Sequence, residues 1–229
     1  MLEALKEEVV AANQLLVTSG LVKLTWGNVS GIDREKGFFA IKPSGVDYQT
    51  LQPQDIVVLD LEGNRVEGEL NPSSDTPTHL KLYQAWPEIG GITHTHSLYA
   101  TMFSQAGCEL PCLGTTHADH FHGTIPVCRA LTPAEVEEDY EGHTGVAIVQ
   151  RFESLNPMTM PAVLQHHHAP FTWGKNALDS VNNSIALETC AEMAIGTFKM
   201  NPKAGSIPAH ILEKHHLRKH GPNAYYGQK

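Results

Sequence analysis

The chain has 229 residues, of which 41% are hydrophobic, and a formal net charge of −9 from 16 basic and 25 acidic side chains. That length and apolar share fit one α/β domain over residues 1–229 with a sizeable core, and argue against a disordered chain. The acidic balance excludes a general nucleic-acid binder, whose footprint is a basic patch, but leaves room for a small anionic substrate in a local pocket.

In chain order, residues 2–18 carry Leu2, Leu5, Val9, Ala12, Leu15 and Leu16 at helical spacing, with Gly20 as a stop. Val22–Trp26, Phe38–Ile41 and Ile56–Leu61 read as strands, and Glu62-Gly63-Asn64 turns the last into a hairpin with 65–68. Ser73–Pro77 is a helix-start signal for a helix reaching Trp86, followed by a strand at Gly91–His96. A short acidic helix is predicted at 133–140, strands at Val146–Val149 and Ala162–His166, and helices at 178–199 and 207–219. Many short strands with helices between them predict a three-layer α/β/α sandwich with a largely antiparallel central sheet.

No apolar run approaches the ~18 residues of a membrane span. Residues 1–7 read as an acidic amphipathic helix start rather than a signal peptide. Cys108, Cys112, Cys128 and Cys190 form no C-x-x-C pair and read as reduced thiols. The expected location is the cytoplasm.

There are 14 histidines, and they cluster. His94 and His96 lie at the end of an apolar strand, where alternation points both side chains to one face. His166-His167-His168 ends another predicted strand, and the same alternation would put His166 and His168 together. Two imidazoles from one strand and a third from a distant one suit a single divalent cation with a position open to substrate. Zinc is the first expectation on ligand type, with manganese or cobalt behind it. The bland alternative is partly exposed histidines at strand ends.

Three small-residue turns, Gly27-Asn28, Ser44-Gly45 and Ser73-Ser74, offer hydroxyls and free N–H groups to a phosphate, with Lys42 adjacent. Any one of them alone is an ordinary turn. Together with a metal they point to a phosphorylated, chelating substrate.

The stretches LTWGNVS at 24–30, IKPSGVDY at 41–48, PSSDTPTH at 72–79, HTHS at 94–97, GTTHAD at 114–119, PFTWGKNA at 170–177, LRKHG at 217–221 and AYYGQ at 224–228 carry a resemblance along nearly the whole chain. It resembles the L-ribulose-5-phosphate 4-epimerases of the class II aldolase and adducin superfamily. The resemblance implies metal ligation by His94, His96 and His168 with Asp75 close by. Asp75 is implied to be close enough to coordinate the metal as well, phosphate and substrate contacts fall at Gly27, Asn28, Lys42, Ser44, Gly45, Ser73 and Ser74, and an acid–base pair at Asp119 and Tyr226. His215 is similar to a secondary active-site histidine. A four-fold symmetric homotetramer with sites between subunits is implied as well. The related aldolases carry glutamate where this chain has Asp75, which favours the epimerase. His120, His122, His167 and Ala169 depart from the resembled pattern beside these motifs.

Epimerising C4 of a ketopentulose phosphate requires more than proton abstraction, because the C4 proton is not acidic. Opening the C3–C4 bond gives the enediolate of dihydroxyacetone and glycolaldehyde phosphate; rotation of the aldehyde and re-addition invert the centre. Acid–base groups are then needed on both faces of C4. A tyrosine titrates near ~10 and suits the donor role; Tyr225 is the alternative to Tyr226. The competing readings are a sugar-phosphate aldolase or dehydratase on the same scaffold, an adducin-like binding module, and a histidine-rich metal store.

Overall fold

The computed structural model describes residues 2–227. Its centre is a seven-stranded sheet in the order β4-β3-β2-β1-β5-β7-β6. The strands are β1 Gly27–Asp33, β2 Phe38–Ile41, β3 Val57–Asp60, β4 Arg65–Glu67, β5 Gly91–Thr95, β6 Ala162–Leu164 and β7 Pro170–Gly174. Every neighbouring pair is antiparallel. The helices are α1 Glu3–Thr18, α2 Thr76–Ala85, α3 Leu98–Ala106, α4 Thr115–Ala118, α5 Pro133–Arg151, α6 Ala177–Met200 and α7 Ala209–His220.

Strand alternation divides the apolar side chains between two cores. Phe39, Ile41, Val57 and Leu59 face one core, with Leu82 of α2 and Trp86 at its C-terminal cap, Ile148 of α5 and Phe171 and Trp173 of β7. Ala40, Val58 and Val29 face the other, against Val9, Ala12 and Leu16 of α1 and Ala177 and Val181 of α6. Helices therefore cover both faces of the sheet, as the sequence predicted. No helix among the described residues is long and apolar enough to cross a membrane. All four cysteines are free.

α1 ends where Gly20 was expected to stop it: Gly20 has φ +74, and the Leu21 N–H donates to the Leu16 carbonyl. Three predicted elements need correction. The segment 22–26 is a tight turn rather than a strand. Leu24 has φ +51, and Trp26 N–H donates to the Lys23 carbonyl, so the strand begins at Gly27. Val146–Val149 is helical. The Thr132 and Glu135 capping box starts α5, and the helix continues past a break at Asp139 to Arg151.

The third correction concerns the histidine triplet. β6 stops at Leu164, and residues 165–169 form the hairpin loop into β7, closed by Gln165 N–H to the Ala169 carbonyl. His167 sits there at φ +62, a conformation in which histidine is among the more tolerated non-glycine residues. His166 stacks on His167 and packs against Gly107, so strand alternation does not pair it with His168.

Candidate metal centre and anion pocket

β5 carries His94, His96 follows directly after its last residue, and the 165–169 loop delivers His168. One ligand atom from each of the three lies within 4.8 Å of the others. His94 is buried, and its Nδ1 lies 3.0 Å from the Pro170 carbonyl oxygen. A carbonyl only accepts, so Nδ1 carries the proton and Nε2 presents its lone pair to the cluster. His168 Nδ1 is buried without a hydrogen-bond partner among the described residues.

Burial lowers the pKa of His94. It also lowers that of His96, helped by His168, and takes His168 to about 4. All three are therefore neutral near pH 7, the state a metal requires. The donor set fits one divalent cation.

Asp75 stands beside this triad. It occupies the N-cap position of α2 but makes no side-chain cap bond. Its Oδ2 instead accepts from Asn28 Nδ2 at 2.7 Å and lies 4.0 Å from His94 Nε2. Burial raises the Asp75 pKa, but the attraction of His94, His79 and His168 and the Asn28 hydrogen bond outweigh it and hold the carboxyl below its ordinary value. Asn28 lies opposite His94 in the β1–β5 register. Gly27 is required next to it: at φ +141, an added Cβ would lie 2.9 Å from the His94 carbonyl oxygen.

The small-residue turns converge. Ser44 N–H donates to the Asn71 carbonyl and Ser73 N–H to the Lys42 carbonyl, zipping the 42–45 and 71–74 loops together. The Tyr48 hydroxyl donates to the Gly27 carbonyl and ties in the third turn. Lys42 is 2% exposed, with Nζ 4.7 Å above the Tyr48 ring. Burial brings its pKa down to about 8. All these residues except Asn71 and Tyr48 line one cavity of about 320 Å³ with Asp75, His94, His96 and His168.

That cavity is also lined by residues the sequence reading did not single out. Thr25 and Trp26 come from the misread turn, and Tyr140 and Glu141 from α5. The break at Asp139, with φ −164 and ψ 85, lies immediately before this pair. No sequence signal marked it, since the acidic run reads as a solvated helix face.

Asp119, His215 and Tyr226 are brought together, but away from the triad. Asp119 caps the C-terminus of α4, and both its carboxylate oxygens accept from Arg218 of α7. His215 Nδ1 is 3.1 Å from Asp119 Oδ1, and the Arg218 guanidinium lies 4.9 Å from the Tyr226 ring centroid. Burial raises the Asp119 pKa, but Arg218 and His215 more than offset it, so the carboxyl is held ionised. None of the three lines the triad's cavity. Tyr226 is 60% exposed and Tyr225, beneath Lys214, is 57% exposed. Of the departures from the resembled pattern, His122 pairs with Glu213 at 2.7 Å, and His120 lines a separate cavity with Asp119.

Comparison with known proteins gives the family and the fold. The model of the class II aldolase and adducin N-terminal domain matches residues 7–195. An L-fuculose 1-phosphate aldolase superposes with a TM-score of 0.78 at 31% identity, over 93% of this chain and 94% of its own. YgbL from Klebsiella pneumoniae, whose name leaves aldolase, epimerase and decarboxylase open, gives 0.74 at 25% identity, over 92% and 97%. The L-fuculose-1-phosphate aldolase of Thermus thermophilus shares the fold with a TM-score of 0.68 at 23% identity, over 89% and 98%.

Proposed function

The chain belongs to the class II aldolase and adducin family, and from that premise we propose that it is a metal-dependent epimerase interconverting L-ribulose 5-phosphate and D-xylulose 5-phosphate. The observation that carries this reading is one cavity holding both a neutral three-histidine donor set and a lysine- and serine-lined anion cradle. A divalent cation held by His94, His96 and His168, zinc first and manganese or cobalt after it, would supply the positive charge that polarises the sugar carbonyl as the C3–C4 bond opens.

The chain's own residues do the rest. Lys42, Ser44, Gly45, Ser73 and Ser74 hold the phosphate, so the aldehyde fragment can rotate about its anchored end without escaping. Gly27 leaves room beside the His94 backbone, and Asn28 steadies Asp75. Asp75 is one methylene shorter than glutamate, and its carboxylate is turned toward His94 and Asn28. That arrangement suits a metal-side role better than proton abstraction from substrate.

Asp119 and Tyr226 are the proposed acid–base pair, with His215 as the partner of Asp119. Both lie outside the chain's own cavity, so they would act in the cavity of a neighbouring copy within a four-fold homotetramer. Support comes from Trp26, which lines the cavity, and from Leu24 two residues before it; they are 54% and 76% exposed and offer apolar area for a second chain. Mixing Asp119→Asn and His96→Asn chains tests this arrangement. Hybrids should regain activity that neither parent has, and inactivity of well-mixed hybrids would place both roles in one chain.

A second reading is favoured by the 31% identity to an L-fuculose 1-phosphate aldolase, namely cleavage with release of the aldehyde. Incubation with L-ribulose 5-phosphate separates the two. Epimerisation yields D-xylulose 5-phosphate with no free glycolaldehyde phosphate, whereas accumulation of free aldehyde supports the aldolase.

A further inference from the structure

Behind the triad lies a buried polar chain with no part in the proposed chemistry. His79 of α2 is fully buried, and its Nδ1 is 2.7 Å from Ser30 Oγ on β1. Ser30 Oγ is in turn 2.7 Å from the Tyr83 hydroxyl. His79 Nε2 has no hydrogen-bond partner among the described residues. The His79 ring meets Phe171 edge-on, and Phe171 stacks on His94 at 4.2 Å.

The proton positions follow from elimination. A phenol is a better donor and a poorer acceptor than an alcohol, so Tyr83 donates to Ser30. The single Ser30 hydrogen then points to His79 Nδ1, which must accept. A neutral imidazole carries one proton, so it sits on Nε2. Reversing the chain would leave the Tyr83 proton without an acceptor among the described residues. The forward direction leaves one group over, an Nε2–H donor. Burial keeps the ring neutral, bringing its pKa to about 3 against the opposing pull of the Asp75 carboxylate. A buried donor is costly to leave unmatched, a single buried water is enough to match it, and Asp75 stands one helical turn before His79, whose backbone N–H donates to the Asp75 carbonyl.

We propose that Tyr83, Ser30 and His79 form a relay that fixes the Nε2–H of His79 as a donor toward Asp75, through a buried water, and thereby holds that carboxylate beside the metal centre. His79 is then a positioning residue acting through Asp75, and the proposal rests on the metal-centre reading given above. Asn28 steadies one side of the Asp75 carboxylate, and the relay steadies it from the core side. This accounts for a histidine, a serine and a tyrosine in a layer otherwise filled by Phe39, Leu82 and Ile92.

The test is zinc affinity, measured by chelator competition without substrate, together with the visible spectrum of the cobalt-loaded protein. His79→Asn keeps an amide near Nδ1 and removes the Nε2 donor. It should weaken zinc binding about 10- to 100-fold, as losses of outer-shell partners do, and shift the cobalt bands. His79→Gln, whose amide nitrogen falls near Nε2, should recover most of the affinity. Tyr83→Phe should weaken binding in the same direction, by less. In an Asp75→Ala background, His79→Asn should add no further loss. Unchanged zinc affinity in folded His79→Asn, no recovery in His79→Gln, or additive losses with Asp75→Ala would overturn the relay. Should His79→Asn not fold, Tyr83→Phe decides: weakened zinc binding supports the relay and wild-type affinity overturns it. His96→Asn is the control for the reading beneath it, since zinc retained there would sink the metal centre itself, whatever the His79 variants do.

Discussion

Lys42→Met isolates the cost of burying a cation in the anion cradle. Lys42 is 2% exposed and, among the described residues, has no carboxylate partner in hydrogen-bond range; Nζ meets the Pro43 carbonyl, at 3.2 Å, and the face of Tyr48. Its pKa falls from 10.5 to about 8, with burial as the cause. That fall corresponds to about 3 kcal/mol held against folding whenever the lysine is charged in both states. The sign follows. Below pH ~8 the folded and unfolded chains are both protonated and the full penalty applies. As pH rises from ~8 to ~10.5 the folded lysine loses its proton first, and the penalty fades. Methionine keeps the length and removes the charge. Urea titrations with chelator present should therefore show Lys42→Met more stable than wild type at pH 6.5, by up to ~3 kcal/mol, and the gap narrowing by pH 9.5. Inorganic phosphate should bind the variant more weakly. A variant less stable than wild type at pH 6.5 would refute the idea that the fold carries an unpaired cation for a ligand.

Tyr226→Phe should slow epimerisation while leaving folding and metal content unchanged; full turnover would move the role to Tyr225. Without metal, acid should unfold the protein early. Burial brings His79 to about 3 and His117, His168 and His216 to about 4, against ~6.5 when unfolded. Their contribution is intact above pH ~6.5 and lost as pH falls toward ~4, each by up to ~1.4 kcal/mol per pH unit. A urea midpoint that stays flat from pH 7.5 to 5 would contradict this.

Legibility in the sequence followed the reach of the local signal. The His-x-His pair could be read because strand alternation fixes its geometry within three residues. The three small-residue turns were visible one by one, but their convergence depends on long-range backbone pairing of 42–45 with 71–74. Val146–Val149 misleads because a short apolar run fits strand or helix equally. Gly145 adds to the confusion by resembling a strand breaker. It is there for close packing, since a Cβ at Gly145 would lie 2.7 Å from Lys81 Cβ of α2. Val22–Trp26 has strand composition, yet tertiary context leaves Leu24 and Trp26 exposed, with Trp26 lining the cavity. β7 begins with Pro170, which masks a buried strand. The placement of His168 was reached through family resemblance; alternation alone offered His166 equally, and only the hairpin loop separates them.

Metal content and turnover measured together on wild type and His96→Asn test the central claim most directly. Wild type should carry one divalent ion per chain and lose turnover on chelation, while His96→Asn stays folded, carries none and is inactive. Full turnover by exhaustively chelated wild-type protein would contradict the account.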